Sequence, residues 1–336
     1  MRIGVDLLGS DSSPELLFEA VLQVAKELEE SDSLVVYVNH ENVEKLLRTE
    51  QGASWKEKGA SQIDLHIVEE YITLEDDPLS SVRLKKDSSL VVGIRQLSDR
   101  KIDAFVTAGN TGALITGTTI ILPQLSGMER PALLAVLPTQ GRPLAMMDVG
   151  GLVSCKARQL VQYAHIGAAF QRCTLEVDVP KVGLLNIGME SKKGTAEVRE
   201  AYHALLRESE APNAKIRFLG NIEGREAFQG KVDVLVTDGF SGNVMLKTSQ
   251  GISSFIFHYL QDALKDTSSI EMHRILDEMQ RHFNYDEYPG AVVCGVDGIV
   301  VKCHSAVTKR GLMHSIQGAI RLVKMDLLKK IKDELG

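Results

Sequence analysis

The feature that most constrains this chain is a strand that runs straight into a glycine-asparagine turn and out into a helix. It occurs twice. The first copy is Asp103-Ala-Phe-Val-Thr-Ala-Gly-Asn-Thr-Gly-Ala-Leu114 and the second is Asp233-Val-Leu-Val-Thr-Asp-Gly-Phe-Ser-Gly-Asn243. Helix starts carry unpaired N–H groups and a partial positive charge, so such turns suit anions. Glycines at 109 and 112 let the backbone approach a ligand, because neither has a Cβ. On a parallel sheet two such turns open at the same edge, where ligands of α/β folds sit. Either turn alone reads as an ordinary connection; the pair favours a site.

The rest of the chain alternates in the same way. Strands are expected at Ile3 to Val5, Leu34 to Val38, Ile63 to Val68, Leu133 to Leu137, Leu144 to Met147, Val182 to Asn186, Ile216 to Leu219 and Val232 to Val236. Ser12 or Ser13 caps a helix that opens with Pro14, and its apolar residues Leu16, Leu17, Ala20, Val21, Val24 and Leu28 share one face. Gln51 to Gln62 reads as an exposed loop and Ser81 to Leu97 as one helix. A long helix from Ser241 to Leu264, a break at 266–269 and a second helix to Phe283 read as a projecting hairpin. Val292 to Val301 returns as a strand, and a basic amphipathic helix from Ala306 to Ile331 closes the chain. Strand and helix in alternation imply a mainly parallel sheet.

Composition enters only to exclude. The 336 residues carry 44% hydrophobic and 25% charged side chains, ample for a large core, and a net charge of −7 argues against nucleic acid as a partner. Four cysteines, at 155, 173, 294 and 303, form no C-x-x-C pair and read as reduced thiols of a cytoplasmic protein. No apolar run follows residues 1–6 to make a signal peptide, and none is long enough to span a membrane.

Polar groups gather where strands end. Asp148-Val-Gly-Gly151 leads to Lys156, Asn186 to Lys193 and Gly194, and Asn221 to Glu223, beside the turns at 109–112 and 238–243. Gly188 to Thr195 fails the P-loop pattern because its lysine precedes its glycine. It still has the composition of an anion turn. Asp6, Asp11, Asp148 and Asp238 have no histidine at ligand spacing, so no metal is called for. His304 follows a strand and reads as a general acid or base, or as a hydrogen-bonded structural residue.

The chain resembles the bacterial phosphate acyltransferases of the PlsX type. The resemblance rests on Arg83-Leu-Lys-Lys-Asp-Ser-Ser-Leu90, Ala108 to Leu114, Arg130-Pro-Ala-Leu133, Asp148-Val-Gly150 and Gly183 to Gly188. It continues through Lys193-Gly194, Gly220-Asn-Ile-Glu-Gly-Arg225, Asp238 to Val244, Leu246-Lys-Thr248, Tyr288-Pro-Gly290 and Gly295 to His304. It implies a single α/β domain over residues 1–336, a three-layer α/β/α Rossmann-like sandwich of the isocitrate dehydrogenase type. It also implies a homodimer, and transfer of a long-chain acyl group from acyl carrier protein to inorganic phosphate for phospholipid synthesis. No cofactor is implied. Rival expectations are a short-chain acyl-CoA enzyme and a non-catalytic scaffold for acyl carrier protein. Location is expected to be cytoplasmic, with weak peripheral attachment at the inner face of the membrane as an addition.

Residue by residue, Lys193, His304 and Asn243 are the catalytic candidates. The substrate-binding candidates in the first half are Gly109, Asn110, Thr111, Gly112, Asp148 and Lys156. Those in the second half are Asn186, Gly194, Asn221, Asp238, Gly239 and Lys302. Several positions depart from the family pattern: Asp6-Leu-Leu-Gly-Ser-Asp11, Gly150-Gly-Leu152, Asn186-Ile-Gly-Met-Glu190 and His304-Ser-Ala-Val307.

Overall fold

The computed structural model describes residues 1–58, 62–265, 269–283 and 290–335. The chain gathers into two compact units, residues 1–133 with 289–336, and residues 134–288, so the single span expected from the sequence is built around two cores.

The first unit opens with β1 (Arg2–Asp6), α1 (Pro14–Ala25), β2 (Ser33–Val38), α2 (His40–Arg48), α3 (Glu50–Lys58) and β3 (Ile63–Ile67). It continues with α4 (Pro78–Leu84), α5 (Ser89–Ser98), β4 (Ala104–Thr107) and α6 (Thr111–Ile121). The second unit holds β5 (Ala132–Leu137), β6 (Leu144–Met147), α7 (Ala157–Leu175), β7 (Lys181–Leu185), α8 (Ala196–Ser209), β8 (Arg217–Ile222) and α9 (Gly224–Ala227). It ends with β9 (Val234–Val236), α10 (Gly239–Leu264) and α11 (Ile270–Phe283). The chain then returns to the first unit with β10 (Ala291–Cys294), β11 (Ile299–Lys302), α12 (Lys309–Lys324) and α13 (Leu327–Leu335).

In the first unit the strand order is β3-β2-β1-β4-β11-β10. All neighbours are parallel except β10 with β11. Asp6 and Lys302 both stand level with Thr107, so the ends of three parallel strands are aligned. In the second unit the order is β5-β6-β9-β7-β8, parallel except for β5 with β6. The mainly parallel α/β architecture read from the sequence is therefore present in each unit.

Local chemistry accounts for the elements. The Ser13 hydroxyl accepts the Leu16 N–H at 3.3 Å and Pro14 opens α1, whose Leu17, Val21 and Val24 are buried. β4 is buried along its length, as a central strand covered by helices must be. A Cβ on Gly93 of α5 would collide with the Phe105 ring, so glycine there lets the helix settle on β4.

Four expectations are corrected. The stretch after Glu50 is helix α3, and Trp55 meets Phe18 edge-on at 5.5 Å instead of lying in an exposed loop; residues 59–61 are outside the described residues. The single helix of 81–97 is two, broken at Lys85 to Ser88, where Lys85 pairs with Asp76 at 2.6 Å. The strand of 292–301 is an antiparallel hairpin. Gly295, at φ +92, makes the turn, and a side chain is strained there. The closing helix is also two: Asp326, at φ 59, takes the left-handed conformation that ends a helix. The hairpin of 241–283 is present as α10 packed on α11; its expected break at 266–269 lies mostly outside the described residues, as do Tyr288 and Pro289. Among the described residues no helix is long and apolar enough to cross a membrane.

Candidate active site

In the second unit β6, β7, β8 and β9 run parallel, so the loops that follow them open at one edge. That edge brings together Asp148 to Lys156, Asn186 to Gly194, Asn221 to Gly224 and Asp238 to Asn243. The sequence had placed polar residues on all four.

Asp148 organises the first loop. It is fully buried, and its carboxylate accepts N–H groups from Gly150 at 3.0 Å, Gly151 at 2.7 Å and Leu152 at 2.7 Å. Such donors stabilise a charge that burial alone would penalise. The start of α10 packs directly on this loop. Gly239 donates its N–H to the Leu152 carbonyl at 2.8 Å, and a Cβ on Gly239 would lie 2.8 Å from the Asp148 carboxylate. The spacing Gly239-x-x-Gly242 is thus a demand of close packing. Asp238 caps α10, accepting the Ser241 N–H at 2.7 Å and the Ser241 hydroxyl at 3.1 Å.

The second loop folds on itself. The Asn186 amide donates to the Lys193 carbonyl at 3.1 Å, and Gly194, at φ +85, passes so close that a Cβ would lie 2.8 Å from that amide. Lys193 and its neighbour Lys192 remain exposed, with no ion pair among the described residues. Asn221 approaches from below. The β7–β8 register slips between Val182 and Leu184, with Gly220 at φ +90, and this bulge puts Asn221 on the same sheet face as Phe218. Its Nδ2 donates to the Glu190 carbonyl at 2.8 Å, while its buried Oδ1 has no partner among the described residues.

Not every expected anion turn is open. Glu197 accepts the Ala157 N–H at 2.8 Å and pairs with Lys156 at 3.3 Å, so the start of α7 is occupied by the chain's own carboxylate. This residue had carried no role in the sequence reading. Its pKa is held low, first by the Ala157 N–H and then by Lys156.

In the first unit the Asn110–Gly112 turn is similarly engaged. Asn110 is buried; its Oδ1 accepts the Ala113 N–H at 3.0 Å and its Nδ2 faces the carbonyls of Thr73, Leu74 and Asp76 at 3.1 to 3.2 Å. Gly112 makes room for Pro78, whose Cγ a Cβ would meet at 2.6 Å. Thr111 follows as the first residue of α6. Gly109 donates its N–H to the Thr107 hydroxyl at 3.0 Å, which donates to Asp6 at 2.9 Å. Burial raises the Asp6 pKa to about 6, opposed by donors from Leu8, Ser89 and Thr107 and by the Lys302 charge. The Lys302 ammonium is itself buried and donates to the Ala108 carbonyl at 3.1 Å and to that of Cys303. It therefore ties β4 to β11. His304 is exposed, and its Nδ1 accepts the Ala306 N–H at 3.2 Å.

Cys155 is buried at the edge of the Asp148 loop. Burial, with the Asp148 charge adding to it, raises its thiol pKa to about 12. Such a thiol is not ionised at neutral pH.

Several known proteins share this chain's sequence or fold. The family model described as "Fatty acid synthesis protein" matches residues 1–330. A phosphate acyltransferase of Chlamydia abortus is 37% identical over 338 residues, covering 100% of this chain and 99% of its own. One from Thermoanaerobacter pseudethanolicus is 34% identical, covering 100% and 97%. Among solved structures, a phosphotransacetylase from Streptococcus pyogenes superposes with a TM-score of 0.63 at 15% identity, covering 96% of this chain and 94% of that one. A branched-chain phosphotransacylase from Enterococcus faecalis gives 0.61 at 12%, covering 96% and 99%. At those identities the likeness speaks for the fold. The full-length sequence matches speak for descent, and this chain belongs to the phosphate acyltransferase family, acyltransferase enzymes of fatty acid and phospholipid synthesis.

Proposed function

We propose that the protein transfers a long-chain acyl group from acyl carrier protein to inorganic phosphate, releasing acyl-phosphate. The observation that carries the reading is the full-length identity of 37% to an enzyme named phosphate acyltransferase. The open cations Lys192 and Lys193 at the edge of the second unit support it.

In the reaction, a phosphate oxygen attacks the thioester carbonyl, the new C–O bond forms, and the C–S bond breaks. The thiol of the carrier, with a pKa near the ~8.5 of a simple thiol, leaves as thiolate and takes its proton from water. Phosphate is already ionised at neutral pH, so neither a strong base nor a strong acid is needed. What the protein supplies is position and charge: Lys193 neutralises the anion and donates to the developing oxyanion, and Asn243 adds an amide N–H. Because Nδ1 of His304 accepts a backbone N–H, the ring proton lies on Nε2.

The protein acts as a homodimer. Supporting this, α10 exposes Phe255 at 69% and Tyr259 at 68%, and α11 exposes Met272 and Ile275, more apolar surface than a solvated hairpin needs. Contact with the inner face of the membrane is weak and peripheral. The test is incubation of purified protein with phosphate and acyl-[acyl carrier protein], trapping acyl-phosphate with hydroxylamine. Formation of the hydroxamate supports the reading; its absence favours a non-catalytic carrier-protein scaffold. Faster turnover of short-chain acyl-CoA than of acyl carrier protein favours the short-chain alternative.

A further inference from the structure

Lys247 belongs to the Leu246-Lys-Thr248 motif, yet nothing derived so far uses it. It stands in the third turn of α10, four residues after Asn243 and eight after Gly239. Positions four apart lie one above the other on a helix, so Gly239, Asn243 and Lys247 form one stripe.

The first two members show where that stripe faces. Gly239 lies against Leu152 and the Asp148 carboxylate. A Cβ on Gly150 would stand 3.6 to 3.7 Å from the Asn243 side chain. Lys247 is about 6 Å further along the helix axis, one turn on. Helical side chains lean toward the N-terminus, and the four-carbon stem of a lysine spans a turn. That lean brings Asn243 and the Gly150-Gly151 turn within reach of the ammonium.

Both polar members of the stripe are uncommitted. Neither Asn243 nor Lys247 has a side-chain hydrogen bond, and Lys247 has no ion pair, among the described residues. Lys156 at this edge differs, since it pairs with Glu197; Lys192 and Lys193 share with Lys247 the lack of an ion pair among the described residues. Asp148, on the loop under the start of α10, is held by three backbone donors of its own loop. We propose that Lys247 is a binding residue for a phosphate oxyanion, held between its ammonium, the Asn243 amide and the Gly150-Gly151 turn. Although the residue as a whole is exposed, desolvation lowers the lysine pKa with no anion of the protein to offset it. A bound oxyanion restores the charge balance.

The inference rests on the phosphate acyltransferase reading and deepens it by naming a ligand-holding residue. Two sources share the chemistry: inorganic phosphate, and the phosphate that terminates the pantetheine arm of the donor. The experiment uses the full-length protein as wild type, Lys247→Met and Lys247→Arg. Each is first melted with and without inorganic phosphate, a readout independent of turnover. Wild type should be stabilised by phosphate, Lys247→Met should lose that shift with its phosphate-free melting unchanged, and Lys247→Arg should recover part of it.

Kinetics then separate the sources. If inorganic phosphate is the ligand, Lys247→Met raises its KM about tenfold or more, the loss of one charge-assisted hydrogen bond. If the donor arm is the ligand, KM rises for acyl-CoA and not for acyl-pantetheine, which lacks the phosphate. An unaltered phosphate shift on melting together with unaltered KM values for all three compounds overturns the proposal. Failure of wild type to make any acyl-phosphate would instead sink the functional reading, and the melting series tells the two failures apart.

Discussion

Gly242 lies directly on the main chain of Asp148, and a Cβ at position 242 has no room beside the Asp148 carbonyl oxygen. The same helix carries Gly251, around which nothing stands within 4 Å. Two alanine substitutions in one helix should therefore have opposite signs. Gly242→Ala should destabilise by about 1–3 kcal/mol or more through overpacking. Gly251→Ala should stabilise by about 0.5–1 kcal/mol, because alanine loses less backbone entropy in a helix. Urea denaturation of both variants checks the pair; equal signs would show that the α10 start does not seat on the Asp148 loop.

Asn110 joins the start of α6 to the segment Thr73 to Asp76 through one cap and its Nδ2 donors. Asn110→Ala should cost about 2–3 kcal/mol, from a lost helix cap and unsatisfied carbonyls. Limited proteolysis should then cut first near residues 71–77. A variant that melts normally and resists cleavage there would assign Asn110 to ligand binding instead of anchoring.

Asp6 gives a pH signature whose sign is fixed by its shift. Its folded pKa is about 6 against an ordinary 3.8, so the folded state holds the proton more tightly. The associated stability is full below pH 3.8, falls as pH rises, and is gone above about 6; two units correspond to about 3 kcal/mol. The difference in unfolding free energy between wild type and Asp6→Asn should shrink in wild type's disfavour across that window. Denaturant titrations at several pH values from about 4 to 7 measure it, and a flat difference would place Asp6 in a better solvated site.

Cys155 and Lys193 should separate cleanly in kinetics. With its thiol raised to about 12, Cys155 is not a thiolate at neutral pH, and Cys155→Ala should keep kcat/KM within about tenfold. Lys193→Ala should lose far more if, as proposed, its charge stabilises the oxyanion. An acyl group found on Cys155 by mass spectrometry, or burst kinetics, would refute the direct attack of phosphate.

The hairpin makes a prediction about assembly. Light scattering should report a dimer, and Phe255→Glu with Tyr259→Glu should dissociate it without altering the core, since both residues are exposed. A wild-type monomer that sediments firmly with liposomes would transfer this apolar face from a second subunit to lipid.

What the sequence by itself determined was whatever a short window of residues controls. The alternation of strand and helix, the Ser13 and Asp238 caps, the glycine-asparagine turns and the full-length family pattern all depend on neighbours along the chain. The hairpin of β10 and β11 was legible in Gly295 and Gly298, whose turn chemistry a continuous strand reading passed over. The tertiary structure decided which polar groups remain open, because each is satisfied or left free by a residue distant in sequence. Glu197 occupies the start of α7 from 40 positions away. Thr107 meets Asp6 across 101 positions. Lys302 reaches Ala108 across 194 and so ties the ends of β4 and β11. Burial makes each unpaired donor or charge costly, so the fold fills the turns it can with its own side chains and leaves uncommitted those that face the open edge.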